Sequence, residues 1–181
     1  MIQPAPRTGL LDRTEGHLAL STAPTAPGVI VLSAPDELGE ALAAAGVHAI
    51  RSGDVDAGAA ALREHGAVAV YVLGFGAAGS EALRAATREG VAGAISFGGA
   101  PPLDATGFAA PVLAFYGGAD ASIADADIRS FYDALNAQHV LEETVVYDGA
   151  PADFFTRPDE FPDACADAWH RLLRFVGVPA S

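Results

Sequence analysis

Residues 67–83 read AVAVYVLGFGAAGSEAL. An apolar run from Val68 to Leu73, then glycines at 74, 76 and 79, then a helix-compatible segment spell a strand, a tight turn and a helix in succession. In an open α/β sheet, ligands are held where the carboxyl end of a strand turns into the following helix. The tip of this turn is Gly76, a residue with no side chain to react.

Upstream, Leu18–Leu20 and Val29–Leu32 are short apolar runs joined by the Pro- and Gly-bearing stretch STAPTAPG, which reads as two strands with a turn between them. In SAPDELGEALAAAG, Ser33 or Asp36 can cap a helix whose apolar face is Leu38, Ala41, Leu42 and Ala45, ended by Gly46. Val47–Ile50 reads as a brief strand, and DVDAGAAALREHG as a helix with acidic residues in its first turn. Downstream, a helix is expected over Ser80–Glu89, a buried strand in VAGAISF, and a loop over Gly98–Pro111. VLAFYGGAD then reads as strand and turn. Asp125–Ala137 is a helix with Ile128, Phe131, Tyr132 and Leu135 on one side, Glu143–Tyr147 the last strand, and Pro162–Val176 the closing helix. Strands alternating with helices at this spacing predict a doubly wound, mostly parallel sheet flanked by helices, in one compact domain over 1–181.

Composition narrows the function classes. The chain is 51% hydrophobic, enough to bury a sizeable core without staples. A formal charge of −13 argues against nucleic acid and anionic membranes as partners. All ten basic residues are arginine, so neither a phosphate-loop lysine nor a Schiff-base lysine exists. The single cysteine excludes an internal disulfide, and the opening MIQPAPRTGLLDRTEG has neither a basic nor an apolar leader pattern, so a cytoplasmic location is expected. The five histidines show no metal-ligand spacing, and neither a metal nor a cofactor is expected.

In order along the chain, PGVIVLS with APDELG, then VYVLGFGAAG, PVLAFYGGAD, YDGAPADFF and DAWHRLLRFV resemble the dienelactone hydrolase family of the α/β-hydrolase fold. The second of these is similar to that family's nucleophile elbow G-x-C-x-G-G, and the fourth to its Y-P-G-A-x-H-x-F. The resemblance implies that Asp120 is the acid of a catalytic triad. It also puts Gly76 where the nucleophile should be, Ala152 where the histidine should be, and Ala78 at the second elbow glycine. RSGDVDAG is shorter than the corresponding family segment, which implies a remodelled or open pocket. A small molecule would then meet Ser33, Gly76, Ala77 and Ala152.

Acyl transfer needs a nucleophile, a base within hydrogen-bond reach and an acid that orients the base. Ser80, Ser96 and Cys165 are the candidate replacements. Their spacing favours helix-start hydrogen bonding for Ser80, a satisfied strand-end hydroxyl for Ser96 and core packing for Cys165. His65 and His139 fall near helix C-termini. Asp120 after Gly117–Gly118 also suits a self-bonded turn, and Asp148 or Asp153 could pair with it as a general acid and base. Gly74, Gly76 and Gly79 spell a dinucleotide G-x-G-x-x-G, but VAGAISF ends without the acid that would hold a ribose. The leading expectation is a non-hydrolytic relative that binds a small carbonyl- or carboxylate-bearing molecule or a protein partner. The competing ones are a catalyst with a relocated acid or base around Asp120, and a structural role that includes homo-oligomerisation.

Overall fold

The computed structural model describes residues 7–10, 17–23 and 25–178. Among these residues eight strands form one sheet: β1 (Arg7–Leu10), β2 (His17–Leu20), β3 (Ala26–Ser33), β4 (His48–Arg51), β5 (Ala67–Phe75), β6 (Gly93–Phe97), β7 (Val112–Gly117) and β8 (Glu142–Tyr147). Their order is β1-β2-β4-β3-β5-β6-β7-β8. The β1–β2 and β2–β4 pairs are antiparallel and all others parallel. The two expected strands around STAPTAPG both form but are not neighbours, because β4 is inserted between them. β1 arises from RTGL, a segment whose sequence carries no strand signal, and forms only by pairing with β2.

Among the described residues five helices cover the sheet: α1 (Leu38–Ala44), α2 (Val55–Glu64), α3 (Ala77–Ala85), α4 (Asp125–Ala137) and α5 (Pro162–Phe175). Side chains of α1 and α5 pack on one face over Val31, Leu73, Ile95, Phe97, Leu113 and Phe115. Those of α2, α3 and α4 pack on the other, over Ile30, Val72, Ala94, Ala114 and Tyr116. The central strands are buried on both faces, as their unbroken apolar sequences require. No helix among the described residues is long and apolar enough to cross a membrane.

Three local expectations need correction. Neither Ser33 nor Asp36 caps α1: Glu37 is the cap residue, with no side-chain hydrogen bond, because Asp36 is drawn to Arg51 at 3.0 Å. Ala41 is exposed and Ala43 takes its place in the core. Helix α3 starts at Ala77, three residues before Ser80, so Ser80 lies within its first turn. By contrast α2 begins as expected, with the Asp54 carboxylate accepting from the backbone N–H groups of Asp56 and Ala57.

Candidate functional site

The β5–α3 turn is a sharp elbow. Gly76 adopts φ +53 and ψ −123, a conformation that side chains with a Cβ resist. Its N–H donates to the Phe97 carbonyl at 2.8 Å, and its own carbonyl accepts the first helical hydrogen bond from Ser80 at 3.2 Å. The turn is tight because glycines surround it. A Cβ on Gly74 would lie 2.2 Å from the Ala78 oxygen, and one on Gly79 would lie 2.7 Å from the Ser96 Oγ and 3.1 Å from the Gly99 Cα. Packing of α3 on the sheet thus accounts for Gly74 and Gly79, without a dinucleotide. At Gly76 itself nothing lies within 4 Å of where a Cβ would project.

Ala77 and Gly76 are both exposed, and the N–H groups of Ala77, Ala78 and Gly79 precede the first residue that an intrahelical acceptor can serve. They form a backbone cradle at the positive end of the helix, suited to an anion or a polarised carbonyl. Ala152 reaches the same neighbourhood: its carbonyl oxygen and Cβ lie 3.4 Å and 3.9 Å from the would-be Cβ of Gly98, next to the Phe97 that bonds Gly76. Ser33 ends β3 in register with Gly74 and is exposed at the same edge. Four sequence-nominated residues, Ser33, Gly76, Ala77 and Ala152, therefore gather at the carboxyl edge of β3, β5 and β6.

Asp120 follows β7, held by Asp120 N–H donating to Gly117 and Ala119 N–H donating to Ala150. Its Oδ1 accepts from the Ser122 backbone N–H at 2.9 Å, the self-bonded turn that its sequence context suits. Among the described residues no histidine hydrogen-bonds to it. His48 is buried and accepts at Nδ1 from the Ser21 backbone N–H at 3.1 Å, and burial, with the nearby charge of His65, pulls its imidazole below the ordinary range. The Nδ1 of His65 lies 2.9 Å from the Ala61 carbonyl at the end of α2. His139 takes a positive φ of 59 after α4, and His170 rides on α5; the His17 side chain falls outside the described residues. Of the two carboxylates that could pair with Asp120, Asp153 is engaged by Arg157 at 3.5 Å.

The alternative nucleophiles resolve in different ways. Cys165 is buried, donates to the Phe154 carbonyl at 3.2 Å, and has its thiol pushed up by burial. Ser80 serves the first helical hydrogen bond. Ser96 corrects the expectation of a satisfied hydroxyl: it is fully buried under α3, and its Oγ has no hydrogen-bond partner among the described residues.

Two features were not singled out from the sequence. Arg51 ends β4 and clamps the loop after Ser33, donating to the Ala34 and Pro35 carbonyls at 3.0 Å and 3.4 Å while pairing with Asp36. Its only signal was a charge closing an apolar strand. The second is an aromatic row, Phe75, Phe97 and Phe115, stacked across neighbouring strands at 4.6 Å and 4.5 Å, with Phe155 4.4 Å from Phe97. Phe75 and Phe155 stay partly exposed beside the elbow. Where the short RSGDVDAG segment passes, a cleft of about 570 Å³ opens, lined by Asp54, Asp56, Glu81, Arg84 and Arg88.

Sheet order, elbow and acid-bearing turn define an α/β-hydrolase fold. The model of the dienelactone hydrolase family matches residues 33–178, and the chain belongs to that family. A Salmonella typhimurium protein provisionally named a carboxymethylenebutenolidase is 38% identical over 77 residues, which is 41% of this chain. The matched stretch is only 28% of that relative's own length. A solved Klebsiella pneumoniae structure, provisionally a dienelactone hydrolase, superposes with a TM-score of 0.74 at 20% identity, covering 96% of this chain and 99% of its own. The dienelactone hydrolase-like promiscuous phosphotriesterase P91 from metagenomic libraries also gives 0.74, at 19% identity over 89% of this chain and 90% of its own.

Proposed function

We propose that this protein is a non-hydrolytic member of its family that binds a small carbonyl- or carboxylate-bearing molecule at the elbow. The observation that carries the reading is Gly76: the backbone holds the strained geometry of a nucleophile-bearing turn, φ +53 and ψ −123, while the residue there has no side chain. The amides of Ala77 and its neighbours remain available to an oxyanion or carboxylate, and the partly exposed rings of Phe75 and Phe155 offer apolar contact beside them. Ala152 supplies no base, and the Oδ1 of Asp120 is spent on its own turn. Loss of nucleophile or base from a triad costs on the order of 10⁶ in rate, and binding with an oxyanion hole leaves only roughly 10³ to 10⁴ over water.

The test has two arms on the full chain. Hydrolysis of activated esters and labelling by serine- and cysteine-directed probes are expected to be null. Lactones and small carboxylates are expected to raise the melting temperature, since a ligand at a hundred times its Kd adds about 2.7 kcal/mol. Ester turnover abolished by Asp120→Ala would overturn the reading, as would a carboxylate panel that leaves the melting temperature unmoved.

A further inference from the structure

Independently of the elbow, we infer that β8 is a self-pairing edge through which two copies of this chain form a twofold dimer. β8 is last in the sheet order, and among the described residues it pairs only with β7. Val112 N–H donates to the Leu141 carbonyl and Gly118 N–H to the Tyr147 carbonyl, so the odd residues of β8 face β7. In a parallel ladder the backbone groups of the even residues, Glu142, Thr144 and Val146, then point away from the sheet, a row of donors and acceptors in need of a strand. The strand contains no proline, lysine or glycine to blunt it. Three large apolar side chains lie along the same margin: Leu141 (75% exposed), Val146 (45%) and, on α4, Tyr132 (42%).

In a self-paired edge, like charges disfavour the registers on either side of one centred at Thr144. An antiparallel twofold about Thr144 sets Thr144 against Thr144, Glu142 against Val146, Glu143 against Val145 and Leu141 against Tyr147. Sliding one way brings Glu143 onto Glu143; sliding the other brings Glu142 onto Asp148. Both alternatives oppose like charges directly, which destabilises a pair. The glutamates are already answered within the subunit. Glu143 pairs with Arg171 and, at 3.1 Å, with Arg174, and Glu142 accepts from the Thr144 hydroxyl at 3.1 Å. The acidic end of the edge therefore meets the valine end of its copy, and no basic partner is called for. Such an interface is isologous and closes on itself.

The register gives a direct test. In a hydrogen-bonded antiparallel pair the facing Cα atoms are about 5.5 Å apart, within the roughly 4.4–6.8 Å span of a disulfide. The native cysteine is buried, so Thr144→Cys supplies the accessible thiol. Sedimentation of the unaltered chain is expected to show a concentration-dependent dimer. Mild oxidation is expected to cross-link Thr144→Cys about tenfold or more faster than Val68→Cys, an exposed position at the opposite end of β5. The surface variant Leu141→Asp/Val146→Asp, which disturbs no buried group and sets a carboxylate against Glu142 of the copy, is expected to shift the equilibrium to monomer. A chain that stays monomeric at all concentrations leaves the edge to some other occupant and overturns the proposal. So do equal cross-linking rates at positions 144 and 68, and a dimer indifferent to the two aspartates.

Discussion

Replacing Gly76 by alanine separates the two demands that a turn residue can meet, conformation and space. Nothing lies within 4 Å of the added Cβ, so no clash contributes. What remains is the backbone, at φ +53 and ψ −123, where a non-glycine residue costs about 1–3 kcal/mol. At roughly 2–4 °C per kcal/mol for a chain of this size, the melting temperature is expected to fall by about 2–12 °C. Gly53→Ala is the control, because that position is equally open and carries no left-handed φ. There a loss of unfolded-chain entropy is expected to stabilise by about 0.4–1 kcal/mol. Calorimetry and urea unfolding of both variants check the pair. Opposite signs are the expected result; a Gly76→Ala protein as stable as the parent would refute the claim that the elbow holds a nucleophile-type geometry.

Ser96→Ala removes a buried hydroxyl that has no partner among the described residues, and stability is expected to rise by about 1 kcal/mol in urea titrations; a comparable loss would mean that the hydroxyl is satisfied. His48 has a folded-state pKa below its free value of 6.5, so the unfolded chain binds the extra proton. Its contribution is present above pH 6.5 and drains away as pH falls through the folded value, and His48→Asn is expected to flatten the melting curve against pH in that window. Asp167 accepts from Arg171 at 2.6 Å and from the Tyr147 hydroxyl at 2.8 Å, which hold its carboxyl below the usual range despite partial burial. Its contribution is lost only as pH drops below about 3.8, and Asp167→Asn is expected to cost about 1 kcal/mol at neutral pH, measured by urea unfolding, with less acid sensitivity.

The parallel strands and their helices were legible because each carries its own period: VAGAISF and PVLAFYGG are apolar throughout, and Asp125–Ala137 repeats at helical spacing. What escaped was set by partners distant in sequence. RTGL becomes β1 only against β2, and the start of α1 is decided by Asp36 turning to Arg51. At the candidate site, motif order nominates Gly76, Ala77, Ser33 and Ala152, and the fold sets them along the carboxyl edge of the sheet. The Arg51 clamp and the aromatic row were not nominated, since their contacts cross strands that sequence spacing does not bring together. Ser96 shows the same limit for satisfaction: a strand-end serine usually finds an acceptor, and this one, set among glycines, has none for its Oγ among the described residues.

Frame and chemistry at the elbow rest on different residues. A Cβ at Gly74, Gly79 or Gly99 would lie under 3.0 Å from a neighbouring atom, so these glycines are required for α3 to seat on the sheet. Gly76 and Ala152 carry no such constraint: one faces open space and the other is exposed. Substitution there can change chemistry without disturbing packing, so the frame does not dictate which side chains stand at these two positions. The converse follows for Gly76→Cys/Ala152→His. That double variant is expected to fold, with a strain cost of about 1–3 kcal/mol at position 76, and the Oδ2 of Asp120 is left to orient the imidazole. A positioned base adds roughly 10² to 10⁴ to the rate, so activated-ester turnover by the double variant should exceed that of Gly76→Cys alone by that order. Equal turnover by the two would show that position 152 no longer addresses the elbow, and the argument that this frame is intact would fail with it.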